Sequence, residues 1–163
     1  MSLKYNNIIN PALVLEELNT SLWERHTGRM FVTLIYGIFS PRERKVILTS
    51  SAHPYPFLYE NQKGQWRDVE LDNGVPVGVV KETKYNNNEI YLNRGDVLVL
   101  LTDGLTETVD AQGNLFIPAV LSKLPVGSDQ ASVIGESLIR ELNSFTTTPD
   151  LFDDATLLII KSK

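Results

Sequence analysis

The chain has 163 residues, 42% apolar and 21% charged, with a net charge of −5 and no cysteine. Those proportions are ordinary for one globular domain, here 1–163, large enough to bury roughly 70% of its unfolded surface. The acidic balance disfavours a nucleic-acid partner, the lack of cysteine excludes disulfides and thiolate zinc sites, and no apolar run approaches the ~20 residues that span a bilayer, so a cytoplasmic protein without a membrane segment is expected.

Asn10-Pro11 opens the first predicted helix, with Asn as cap and Pro at the first helical position. Leu15, Leu18 and Leu22 then recur on one face, and the helix is expected to end near His26-Thr27-Gly28. Met30 to Phe39 is rich in strand formers, Ser40-Pro41-Arg42-Glu43 reads as a turn, and Lys45 to Thr49 returns as its hairpin partner. Pro56–Tyr59 and Trp66–Leu71 flank the turn Asn61-Gln62-Lys63-Gly64. Gly74-Val75-Pro76-Val77-Gly78 is too rich in Gly and Pro for a regular central strand. Glu82 to Leu92 reads as a hairpin around Asn86-Asn87-Asn88.

The next stretch, Val97 to Glu107, is the most informative. Its five leading apolar residues read as a buried strand, ended by Asp103-Gly104, where the glycine is expected to let the backbone turn sharply. A carboxylate at the edge of an apolar core requires a partner, and a divalent cation is one. Phe116–Leu124 and Gln130–Leu142 read as helices, the second with the stripe Ile134, Leu138, Leu142. Asp153-Asp154 then leads into the apolar run that closes the chain. The strands at Val97–Thr102 and Thr156–Ile160 are both expected in the interior, and aspartates at the ends of the two would gather the oxygen ligands that magnesium and manganese prefer. Many antiparallel strands with a few helices indicate an α+β sandwich.

Five segments in order resemble one family. Met30-Phe31-Val32-Thr33-Leu34 and Ser51-Ala52-His53-Pro54-Tyr55-Pro56 resemble the "F-V-T" and "A-G-H-x-P-P" segments of bacterial metal-dependent serine phosphatases, the sporulation stage II protein E and sigma-factor-regulator-U type of the type 2C (PPM) superfamily. Gly74-Val75-Pro76-Val77-Gly78 resembles "G-x-P-L-G", Arg94 through Glu107 resembles "L-x-x-G-D-x-L-x-x-x-T-D-G-x-x-E", and Asp153-Asp154-Ala155-Thr156-Leu157 resembles "D-D-x-T-L".

The resemblance implies two mostly antiparallel sheets packed together with helices outside. It implies a two-metal site, manganese or magnesium, whose bound water attacks a phosphoserine or phosphothreonine. The substrate expected from it is a phosphorylated protein, such as an anti-anti-sigma protein of a partner-switching circuit. Asp103 and Asp153 match metal ligands; Asp154, Gly104, Glu107 and His53 are secondary candidates, with no catalytic residue expected beyond the ligands. Histidine at the position of His53 mostly shapes a turn in that family.

Two departures bear on function. The upstream "A-D-V-x-G-H-G" segment, which supplies the aspartate bridging both metals, has no counterpart, so the resemblance covers the C-terminal two-thirds of a phosphatase domain. Ala52 stands where the family places glycine. An N-terminally truncated domain of this kind is expected to have an incomplete metal site, to turn over substrate poorly, and to self-associate as a homodimer through uncovered strand edges. The alternative reading is a non-catalytic, phosphatase-like binding module in a signalling pathway.

Overall fold

A computed structural model describes residues 4–5, 8–26, 30–110, 112–145 and 154–163. The chain packs as two compact units, Met1–His53 with Leu71–Tyr91, and Pro54–Glu70 with Leu92–Lys163.

In the first unit, strands β1 (Lys4–Tyr5) and β2 (Ile8–Ile9) pair antiparallel ahead of helix α1 (Pro11–His26). Asn10 caps α1 as its sequence position demands, its Oδ1 accepting from the Ala12 amide at 3.0 Å. The buried face of α1 runs through Ala12, Leu15 and Asn19, while Leu18 is 42% exposed. The leucine stripe expected from the sequence is thus rotated, because Asn19 occupies the inward position. Its Oδ1 accepts from the Gly78 amide at 2.8 Å, and its Nδ2 donates to the carbonyls of Val80 and Lys81 at 2.9 and 3.3 Å. One side chain thereby fixes a whole turn. Gly78 has φ +91, and a Cβ there would lie 2.6 Å from both the Met30 carbonyl and a Leu22 methyl, so the turn requires glycine.

Strands β3 (Leu34–Ser40) and β4 (Lys45–Ser51) form a seven-residue hairpin, Leu34 opposite Ser51 through Ser40 opposite Lys45. The sheet continues on the other side of β4 with β7 (Asn73–Gly74, parallel) and β8 (Asn88–Tyr91, antiparallel). β3 starts later than the Met30 expected from composition; only Val32 upstream bonds in strand fashion, to Val77. The hairpin expected over Glu82–Leu92 does not form: residues 82–87 are irregular and β8 pairs with β4 instead. The asparagines that imitate a hairpin turn serve as side-chain anchors. Asn87 bonds the Ala12 amide at 2.9 Å and accepts from the Thr49 hydroxyl at 2.7 Å. Three successive hydroxyls of β4 are buried and engaged: Thr49 on Asn87, Ser50 on Asn73 at 2.7 Å, and Ser51 on the Val75 carbonyl at 3.1 Å.

The second unit is built on an all-antiparallel sheet ordered β10-β9-β5-β6, with β5 Phe57–Glu60, β6 Gln65–Asp68, β9 Val97–Leu101 and β10 Leu157–Lys161. Helices α2 (Asp103–Thr106), α3 (Phe116–Leu121) and α4 (Ala131–Phe145) follow β9. Val97, Val99 and Leu101 join Phe116, Ile117, Val120, Ile134, Leu138 and Leu142 in one buried cluster, which places the predicted α4 stripe as expected. β9 is the interior strand its composition predicts. β10 departs from expectation: among the described residues it pairs only with β9 and lies at the sheet's edge, and Leu158 is 56% exposed.

A buried carboxylate ties this sheet together. Asp96, 1% exposed, accepts from the amides of Asn61 (2.8 Å) and Asn93 (2.7 Å). Its backbone carbonyl accepts from Ser162, whose own carbonyl takes the Gly95 amide, both at 2.9 Å.

Replacing Asn19 by Ala orphans the Gly78 amide and two carbonyls. The expected cost is about 2–3 kcal/mol, read as a lower urea midpoint at constant m-value. Thr20→Ala, one residue on and exposed, should stay within about 0.5 kcal/mol of the parent.

Candidate functional site

β9 delivers its last residues to the sheet's end, and Thr102 holds them there. The Thr102 amide donates to the Thr156 carbonyl at 3.1 Å. The Thr102 hydroxyl accepts from the Thr156 amide at 2.9 Å and donates to the Asp154 carbonyl at 3.2 Å. Thr102 is also the N-cap residue of α2, yet its side chain makes no capping bond; the hydroxyl faces the chain entering β10. This clasp sets the 154–156 segment beside Asp103.

Asp103 is the first residue of α2 and is exposed. Its Oδ1 accepts from the Gly104 amide at 3.0 Å, and its backbone carbonyl takes the Glu107 amide at 2.8 Å. A carboxylate at a helix's first turn is favoured there. Gly104 is buried inside α2 and is not one of the glycines with positive φ, so the sharp turn expected of it is an ordinary helical start. Its carbonyl accepts from the Thr108 hydroxyl at 2.6 Å. Glu107 caps the C-terminal end of α2 and is exposed. Asp154 is exposed and held through its carbonyl. Asp153 lies outside the described residues.

His53 belongs to the first unit. Its Nδ1 lies 3.4 Å from the Thr33 hydroxyl and its carbonyl accepts from Asn73 Nδ2 at 3.0 Å. Ala52 before it adopts φ +51. The left-handed turn that glycine would provide is therefore kept with alanine, at a cost of about 1–2 kcal/mol.

The donors gathered at the strand ends are hard oxygens, the chemistry that suits magnesium or manganese. Among the described residues no group of three or more His, Cys, Asp or Glu side chains is placed to hold a metal. Sequence reasoning missed Thr102 and Asn19. Asn19 stands beside the leucine stripe, and its inward position is set by the distant turn at Gly78; nothing local marks Thr102.

Beyond α2, Asp110 organises a tight loop. Its Oδ1 accepts from the amides of Gln112 (2.9 Å) and Asn114 (2.8 Å), and its Oδ2 from Asn114 Nδ2 (2.8 Å). The Asn114 side-chain bond, then the backbone bonds, hold its carboxyl below the usual aspartate value.

Comparison with known proteins identifies the family and the fold. The family model described as "Stage II sporulation protein E (SpoIIE)" matches residues 3–163. The phosphoserine phosphatase RsbU of Bacillus subtilis (strain 168) is 28% identical over 157 residues, 95% of this chain and 46% of that protein. The chain thus spans about half the length of this curated relative. Among solved structures, the RsbU and RsbW domains of Rv1364c from Mycobacterium tuberculosis superpose with a TM-score of 0.68 at 22% identity, over 92% of this chain and 41% of that one. The PP2C phosphatase domain of SpoIIE from Bacillus subtilis, solved with a fragment of its regulatory domain, gives a TM-score of 0.69 at 21% identity, over 93% and 44%. The expected α+β fold of two antiparallel-rich sheets with helices is that of PP2C phosphatase domains.

Ala52→Gly should raise stability by about 0.5–1 kcal/mol, the left-handed penalty relieved less the entropy glycine adds to the unfolded chain; urea unfolding measures it. For Asp110 the folded carboxyl titrates below its unfolded counterpart. The loop's stabilisation is therefore full above the unfolded value and is lost as pH falls through the folded one. NMR titration should show the Asn114 amide shifting in that acid range, and Asp110→Asn should abolish the shift.

Proposed function

The chain belongs to the stage II sporulation protein E family, and from that premise we propose that it serves a metal-dependent protein serine/threonine phosphatase, with Asp103 and Asp153 as ligands. The observation that carries this reading is the Thr102 clasp, which ties the end of β9, where Asp103 sits, to the segment entering β10. Asp154 and Glu107 are carboxylates of the same region.

Asp103 and Asp153 would hold a hard divalent ion, which would supply positive charge to phosphoryl oxygens and acidify a bound water. The chain's own part is to orient. Thr102 fixes the chain beside the carboxylate, the first turn of α2 favours its negative charge, and the buried β9 gives both a rigid base. His53 is read as holding its turn through Thr33 and Asn73.

The substrate class proposed is a phosphorylated signalling protein. Support comes from the relative that is a phosphoserine phosphatase and from a structural neighbour that carries an RsbW domain beside its RsbU domain. An anti-anti-sigma protein fits that setting. Cytoplasmic action is proposed with it; among the described residues no helix is long and apolar enough to cross a membrane.

A second reading is a non-catalytic, phosphatase-like binding module in a signalling pathway.

Calorimetry with manganese chloride separates the contributions. Asp103→Asn should weaken manganese binding by at least about tenfold, whereas Asp110→Asn should leave it unchanged. Turnover of a phosphoserine protein by the 163-residue chain should be slow, manganese-dependent, and lowered on the order of 10²–10³ by Asp103→Ala. Phosphoprotein binding without turnover, indifferent to manganese and to Asp103→Ala, supports the binding module instead.

A further inference from the structure

The β5–β6 hairpin and helix α3, both of the second unit, border an open cleft of about 480 Å³, within the roughly 300–1,000 Å³ of ligand sites. One wall is the cross-strand pair Tyr59 and Trp66, directly opposite in register, with ring centroids 5.4 Å apart and planes tilted by 55°. The other wall is Pro118 and Leu121 of α3 with Leu124 of the turn after it. Both rings pack against the buried cluster of the unit, but their polar ends are unused. Among the described residues neither the Tyr59 hydroxyl nor the Trp66 indole N–H has a hydrogen-bond partner.

The walls are held by bonds of their own. The amides of Lys63 and Gly64 donate to the Glu60 carbonyl at 3.0 and 2.9 Å, closing the hairpin turn, where Gly64 takes φ +64. Lys161 Nζ donates to the Val126 carbonyl at 2.7 Å and fixes the turn after α3. The cleft is also neutral. None of its nine lining residues carries a charge, and the cations beside it are already paired, Lys63 and Arg67 with Glu60 and Lys123 with Glu141. A neutral, largely apolar cleft with two idle donors selects a ligand that is uncharged, apolar and rich in free acceptors. The tilted, adjoining rings leave no parallel-sided slot between them for a flat heterocycle.

We propose that this cleft binds a proline-rich segment of a partner protein in the polyproline II conformation. That helix forms no internal hydrogen bonds, so its carbonyls are free to accept. Its stiff rings pack on aromatic walls and have little conformational freedom left to lose on binding. In the complex a proline ring packs between Trp66 and Pro118, and Tyr59 Oη and Trp66 Nε1 donate to carbonyls of the segment. Residues three apart share a face of a polyproline II helix. No two of this chain's eight prolines have that spacing, so a second copy of the chain is a poor occupant. The inference is independent of the phosphatase reading, since it needs neither Asp103 nor a metal.

NMR and calorimetry of the 163-residue chain with a synthetic oligoproline peptide test it. The Trp66 indole resonance should move saturably while that of Trp23, in α1, stays in place. A Gly–Ser peptide of the same length, which is a flexible coil, should move neither. Tyr59→Phe and Trp66→Phe keep an aromatic ring and remove one donor each. Tyr59→Phe should raise the dissociation constant about fivefold, the worth of one hydrogen bond, and Trp66→Phe, which also loses ring area, at least as much, with both variants melting near the parent. Absence of a Trp66 shift at millimolar peptide overturns the proposal. So does an equal shift with the Gly–Ser peptide, or parental affinity in either folded Phe variant.

Discussion

The second unit depends on how one carboxylate is kept buried. Asp96 meets two backbone amides, from Asn61 in the β5–β6 turn and Asn93 in the approach to β9, while its peptide neighbours pair with Ser162 beyond β10. Charge-assisted bonds to both oxygens offset the desolvation of the ion. Geometry leaves little alternative, since Gly95 has φ +88 and a Cβ there would come within 2.6 Å of the Asn61 side chain. Three pieces of chain distant in sequence therefore meet at one point, and the order β10-β9-β5 follows from it.

At its other end β9 is tied again, by Thr102 to residues 154–156. A strand pinned at both ends against the same neighbour cannot slide, and it places Asp103 where the rigid part of the sheet stops. The position of a candidate ligand thus rests on two polar clasps and the apolar run between them. The first unit uses the same economy of polar contacts: Asn19 grips the turn at Gly78, and Asn87 links the start of α1 to β4.

Periodic and local signals were legible in the sequence. The Asn10-Pro11 start of α1, the Ile134–Leu138–Leu142 stripe, the buried β9 and the aspartate at its end are dictated by neighbours close in the chain. What escaped was non-local. Leu18 and Asn19 compete for the inward side of α1, and the winner is decided by a turn some sixty residues on, with Gly78 separated from Asn19 by 59 positions. Asn86-Asn87-Asn88 has turn chemistry, but its side chains are claimed by Thr49, Asn10 and Asp72. Thr102 reads as the last residue of a strand, and nothing nearby in the chain marks its hydroxyl for Thr156, 54 residues away. Edge position is likewise invisible to composition, so β10 reads as an interior strand. Ala52 shows the converse: the backbone kept its left-handed turn although the residue that favours it is gone.

The three adjoining hydroxyls of Thr49, Ser50 and Ser51 fix the alignment of β4 in the sheet. Each is buried and each recognises a different loop. If β4 paired one residue out of step, all three would lose their partners together and every side chain would exchange faces. Orphaned hydroxyls in a dry interior are costly, so the misaligned pairing is disfavoured. Three small polar side chains thus set the register of β4: the observed alignment is the one in which all three hydroxyls are satisfied.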